Sequence, residues 1–196
     1  MIRRLSLTGS LAVLILTAST AYATPITYNV NQTIGLGGVV GTITTDGTIG
    51  SLANANILDW TLTISDGTAV GPLTLRGPLS GQNSAVQIFG SSFTASLTNL
   101  FFNFSNTTHD TVQFQNPNLG SGMNVWCLEG ALDGCIGNNS SQTVERLDFA
   151  AKVSVAQSGV QSIAAAQTAA VPEPTTLLLV GSGAAVGAAR RRLKKH

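Results

Sequence analysis

Between Val39 and Val155 the chain alternates apolar and polar residues in short runs and breaks them with Asp-Gly or Pro-Gly, the pattern of strands joined by tight turns. Val39 to Ile43 runs toward Asp46-Gly47, and Trp60, Leu62 and Ile64 alternate ahead of Asp66-Gly67. Leu73 and Leu75 follow, then Val86 and Phe89, Phe93 to Leu97, Leu100 to Phe104, Val112 and Phe114, and Val144 to Val155. The same region is rich in Thr, Ser, Asn, Gln and Gly and poor in Lys and Glu, which favours strands and turns over helices. Roughly eight to eleven short strands predict a mainly β domain, an antiparallel β-sandwich or jelly-roll-like arrangement, with barrel closure left open. Thr42–Gly50 and Thr61–Gly71 resemble each other, each reading Thr-apolar-Thr and then Asp-Gly-Thr. Two copies fall short of the three or more that a solenoid needs, so they read as paired hairpins.

Both ends have the character of targeting segments. Arg3 and Arg4 precede the apolar run Leu5 to Leu16, and Ala21-Tyr22-Ala23 stands before Thr24 and Pro25. A basic start, an apolar run and a small-x-small site in that order describe a secretory signal peptide over residues 1–23, cut by signal peptidase after Ala23. The apolar run is shorter than the roughly 20 residues that span a bilayer, which argues against an uncleaved anchor. Two adjacent arginines are routine here, so the ordinary secretory route is expected.

From Val171 the chain reads VPEPTTLLLVGSGAAVGAARRRLKKH. Pro172 and Pro174 fix their own φ and push Val171 and Glu173 into extended conformations, giving a stiff strip. Glu173 is costly to bury in lipid and should hold that strip at the interface. An uncharged stretch follows over 175–189, and Arg190, Arg191, Arg192, Lys194 and Lys195 in the tail 190–196 should stay cytoplasmic as a stop-transfer signal. Together these predict one C-terminal transmembrane helix with the domain outside. Fifteen helical residues cover only about 22 Å of a hydrocarbon core about 30 Å thick. Gly181, Gly183 and Gly187 weaken the helix further, so it reads as a temporary hold on membrane lipid.

Residues 171–196 as a whole resemble the C-terminal signal of the bacterial PEP-CTERM proteins, which joins Pro-Glu-Pro, one hydrophobic helix and an Arg-rich end. Pro172, Glu173 and Pro174 match the recognition triplet, and Arg190 to Arg192 match the basic end. The resemblance implies processing by an exosortase, a membrane-embedded cysteine transpeptidase that cuts near the motif and transfers the protein to another attachment. It also implies passage through the inner membrane to the cell surface, outer envelope or extracellular matrix of a bacterium, with exopolysaccharide as a partner.

With both ends set aside, residues 24–155 form the expected β-rich extracytoplasmic domain, and 156–170 an Ala/Gln/Ser spacer, flexible or weakly helical. Between the two signals only Arg76, Arg146 and Lys152 are basic against eight carboxylates, a net −5. No positive surface exists to neutralise phosphates, so nucleic acid is excluded as a partner. Cys127 and Cys135 are the only cysteines, and export delivers them to an oxidising compartment, which predicts a disulfide.

Candidate chemistry is sparse. Outside the tail, His109 is the only imidazole, beside Asp110, and no nucleophile elbow accompanies it. Asp46, Asp59, Asp66, Asp110, Glu129, Asp133, Glu145 and Asp148 supply carboxylates for a glycosidase-like pair, but no pair is selected, and turn chemistry accounts for most of them. One histidine and two paired cysteines do not make a zinc site, and no EF-hand pattern begins at Asp46, Asp66 or Asp133. No cofactor and no metal is expected, with calcium held by distant loops left as an alternative. Trp60 and Trp126 either stack on sugars or pack in the core, and their neighbours Leu58, Leu62 and Val125 favour the core. The reading that follows is a non-catalytic structural or matrix-associated protein of the cell envelope. The alternatives are a lectin-like carbohydrate-binding module and, behind it, a secreted hydrolase.

Overall fold

The computed structural model describes residues 23–68, 71–116, 124–132, 140–146 and 151–167. Thirteen strands run through these residues with one 3₁₀ turn, Asn54–Asn56. The strands are β1 (Ile26–Ile34), β2 (Gly37–Thr45), β3 (Gly50–Ser51), β4 (Ile57–Ser65), β5 (Leu73–Arg76), β6 (Ala85–Phe89), β7 (Phe93–Ala95), β8 (Asn99–Asn103), β9 (Thr111–Asn116), β10 (Asn124–Glu129), β11 (Ser141–Arg146), β12 (Ala151–Ala156) and β13 (Val160–Ala166). They form two antiparallel sheets, ordered β3-β7-β8-β13-β1-β2-β4-β5 and β12-β11-β10-β9-β6.

Alternation decides which side chains meet between the sheets. Trp60, Leu62 and Ile64 of β4, Val39 and Ile43 of β2, and Tyr28 and Val30 of β1 are buried from the eight-stranded sheet. Val112 and Phe114 of β9, Trp126 and Leu128 of β10, and Val144 of β11 join the same core from the other. Trp60 meets Phe114 edge to face with centroids 5.6 Å apart, and Phe114 stacks on Trp126 at 5.6 Å and 18°. Each such side chain, fully buried, contributes about 1.5–3 kcal/mol. The sandwich expectation therefore holds, with more strands than the alternation alone reveals.

Two expectations are corrected. Of the two Asp-Gly-Thr stretches read as paired hairpins, the second does turn a β4–β5 hairpin, but the first does not: β2 pairs with β4, Thr42 opposite Thr61 and Ile43 opposite Trp60. Their turns do share one local design, in which Asp46 Oδ1 accepts from Thr48 N and Asp66 Oδ1 from Thr68 N, both at 2.9 Å. The second turn leads on to β5, the direct neighbour of β4, whereas the chain after the first crosses to β3, which pairs with β7.

The second correction concerns the proposed spacer. Residues 160–166 of the 156–170 segment are strand β13, hydrogen-bonded to β1 on one side and β8 on the other. Ile163 is fully buried and Ala164 nearly so. Alanine-rich sequence has little strand propensity of its own, and pairing on both edges overrides it. The β domain thus extends past residue 155 to Gln167.

Candidate functional site

The place where the targeting segments leave the domain is set by the pairing of its first and last strands. Tyr28 faces Ala166 and Val30 faces Ala164. Beyond that ladder, Gln167 N donates to Thr27 O at 2.8 Å and Gln167 Nε2 to Asn29 Oδ1 at 2.9 Å. Ala166 N donates to Thr98 O at 2.6 Å, so the turn between β7 and β8 clasps the exit from its other side. Tyr28 fixes that turn, its hydroxyl donating to Ser96 O at 2.7 Å. Burial raises the Tyr28 pKa, and a hydrogen bond with Thr45 partly offsets this, so the phenol stays protonated as a donor.

A bulge between Ser162 and Ala164 interrupts the β13–β8 register, and Gln32 Nε2 donates to Ile163 O at 2.9 Å. Beside it lies a shallow cleft of about 180 Å³ lined by Asn29, Asn31, Gln32, Ser162, Ile163 and neighbouring alanines. None of these carries charge.

The chemical candidates fall elsewhere. Trp60 and Trp126 are core residues, and Trp60 Nε1 donates to Ser84 Oγ at 2.8 Å, so neither offers a face to a sugar. Asp46 Oδ2 accepts from Asn56 Nδ2, and Asp59 Oδ1 from Leu79 N and Ser80 Oγ. Asp66 is buried, which would raise its pKa, but hydrogen bonds from Thr68 and the nearby Arg146 bring it below the usual carboxylate range. His109 is exposed and adjoins Asp110, which is buried.

Asp110 is a heavily bonded carboxylate. Ser91 N and Ser92 N donate to its Oδ2 at 2.8 Å, Asn106 Nδ2 at 2.9 Å, and Thr108 Oγ1 to its Oδ1. Burial raises its pKa, and the hydrogen bonds from Thr108, Ser92 and Ser91 outweigh that and lower it. These donors come from two loops, which makes Asp110 a fastener. No sequence motif announces it, because its partners lie up to 19 residues away.

Glu129 and Glu145 share the outer face of the five-stranded sheet. Glu129 Oε1 accepts from Ser141 Oγ at 2.7 Å, and Glu145 stands opposite Val125 on one side and Lys152 on the other. Glu129 stands four positions along β10 from Val125, the partner of Glu145, so the two backbones are offset by about 13 Å along the strands. Among the described residues, no group of three or more His, Cys, Asp or Glu side chains is placed to hold a metal.

Cys127 is fully buried on β10 and is not a free thiol. Cys135, Asp133 and Asp148 lie outside the described residues, as do Ala21, Pro172, Glu173, Pro174, the 175–189 stretch and the basic tail. Ala23 is exposed, three residues before β1 begins. Among the described residues no helix is long and apolar enough to cross a membrane.

No curated protein and no solved structure matches the chain. One family model does: residues 170–192 match the PEP-CTERM protein-sorting motif. The match takes in Pro172 to Pro174, the uncharged stretch and Arg190 to Arg192, and it begins three residues after Gln167. The chain therefore carries a PEP-CTERM protein-sorting motif fused almost directly to the last strand of a β-sandwich, and that motif implies exosortase-dependent sorting to the cell envelope.

Proposed function

We propose that the sandwich is a non-catalytic structural or matrix-associated domain, which an exosortase-type transpeptidase releases from the inner membrane and delivers to the cell surface or extracellular matrix. The observation that carries this reading is the junction itself. Only four residues lie between Gln167, held by β1, and Pro172, a span of at most about 18 Å. A motif so close to a finished fold makes the folded body the cargo. Asp46, Asp59, Asp66 and Asp110 serve turns and loop closure, in keeping with a structural role.

Changing Pro172 and Pro174 to Ala in the native host tests the sorting half. The variant should accumulate uncleaved in the membrane, its intact mass retaining residues 170–196. Wild-type processing of that variant would overturn the proposal.

The uncharged cleft beside the exit supports a second reading, a carbohydrate-binding module. Amide side chains over an apolar floor suit neutral hydroxyl-rich ligands, but about 180 Å³ falls below the roughly 300 Å³ of ordinary ligand pockets. A glycan array probed with the wild type and with Asn31→Ala decides between them: glycan binding that N31A abolishes would establish the module.

A further inference from the structure

We propose that, while its C-terminal segment holds it at the membrane, the domain rests on the lipid surface through the sandwich end that presents Ile49 and Leu97. This rests on the sorting reading above and adds an orientation to it.

Both ends of the described chain leave from that end. Ile26 pairs with Thr45 at the close of β2, and Gln167 bonds Thr27. Two loops flank the exits. The loop after β2 presses on the N-terminal one, since a Cβ added at Gly47 would lie 2.3 Å from Thr24 O. The β7–β8 turn holds the C-terminal one through Thr98 O. Each loop exposes one large apolar side chain, Ile49 at 52% and Leu97 at 72%.

Chain length supplies the occupant. Eight residues lead from Gln167 to Thr175, where the uncharged stretch starts, so this end stands within about 29 Å of the bilayer core even if the link is fully extended. A short tether turns contact with the surface into an intramolecular event at high effective concentration. Among residues 23–27, 46–50, 96–99 and 166–167 the only charge is Asp46, so the contact is apolar and does not rely on anionic lipid.

Leu36 provides an internal control. It is 89% exposed, yet it sits in the β1–β2 turn, and Ile34, the end of β1, is eight residues or about 27 Å of strand from Ile26. Exposure in a turn is common to all three side chains; only position separates them.

The test uses the full chain reconstituted in phosphatidylcholine vesicles with brominated acyl chains, as Ile49→Trp, Leu97→Trp and Leu36→Trp variants. Trp60 and Trp126 are buried and give a constant background. Flotation with the vesicles reports the anchor; quenching reports the orientation. The expected result is that all three float, that I49W and L97W lose most of their added emission in low and high salt alike, and that L36W keeps its own. Flotation with L36W quenched as strongly as L97W, or with L97W unquenched, overturns the orientation and leaves the anchor standing. Failure to float removes the anchor and the orientation with it.

Discussion

Tyr28 and Ala166 stand opposite each other on β1 and β13, so the first and last strands of the domain are neighbours inside one sheet. Residues more than 130 apart in sequence must meet before that sheet is complete. Such non-local pairing is slow to form. It also waits for residue 166, only four residues ahead of the matched motif at residues 170–192.

If β13 belongs to the domain, shortening Ile163 must cost stability. Ile163→Ala removes a fully buried side chain and is expected to cost about 2–5 kcal/mol. Val160, on the same strand, is 63% exposed, and Val160→Ala should change stability by less than about 0.5 kcal/mol. Urea unfolding of the two variants gives the comparison. Equal midpoints would return residues 160–166 to a spacer.

Acid should loosen the fold through Asp46, Asp66 and Asp110, whose pKa values are all lowered in the folded state. The sign follows from proton counting: below about pH 4 the unfolded chain binds more protons at these sites than the native one, so stability falls as pH falls. It is fully present above the unfolded value and lost progressively below it. Asp110→Asn, which sets an amide against four donors, should cost roughly 1.5–3 kcal/mol at pH 7. The gap between D110N and the wild type should narrow as the pH drops below about 4. A gap that stays constant with pH would show that the Asp110 charge contributes nothing.

Gly90 is bound to the same fastener. Its φ is +78°, and an added Cβ would lie 2.0 Å from Asp110 Oδ1. Gly159 has a similar φ of +67° but open space around it. Gly159→Ala should therefore show only the left-handed backbone penalty, about 1–2 kcal/mol. Gly90→Ala adds to that the displacement of a carboxylate held by four donors, and should cost at least about 1 kcal/mol more. Thermal melts of both variants test this; equal losses would mean that Asp110 can move aside freely.

How much of this was legible beforehand depended on whether one face or two was buried. β2 and β4 have one buried face each, so Val39, Ile43, Trp60, Leu62 and Ile64 declared themselves by alternation, and the two tryptophans read correctly as core. β11 is buried on both faces, with Thr143 and Glu145 as inaccessible as Val144. Polar residues at such positions erase the period, which is why Val144 to Val155 read as one stretch where two strands stand. β13 was hidden for a different reason: its alanines have little strand propensity, and the pairing with β1 and β8 that makes it a strand is a fact no local window contains. The sorting motif was the reverse case, fully legible because it is one contiguous run of residues whose order alone defines it. Asp110 left no trace, since its value lies in donors from residues 91, 92, 106 and 108.

The predicted Cys127–Cys135 disulfide calls for a particular kind of test. Cys127 faces outward from β10 between Gln113 and Thr143, yet it is fully buried. A thiol reagent would fail to reach it in the native protein whether or not it were oxidised, so silence there carries no information. Unfolding the non-reduced protein in denaturant first removes that shield. The expected result is no label before reduction and two labels after it, because Cys127 and Cys135 are the only cysteines. Closing so short a loop should stabilise the domain by roughly 2–3 kcal/mol on the chain-entropy estimate, so reduction should lower the urea midpoint correspondingly. Two labels taken up in denaturant without reductant would refute the pairing.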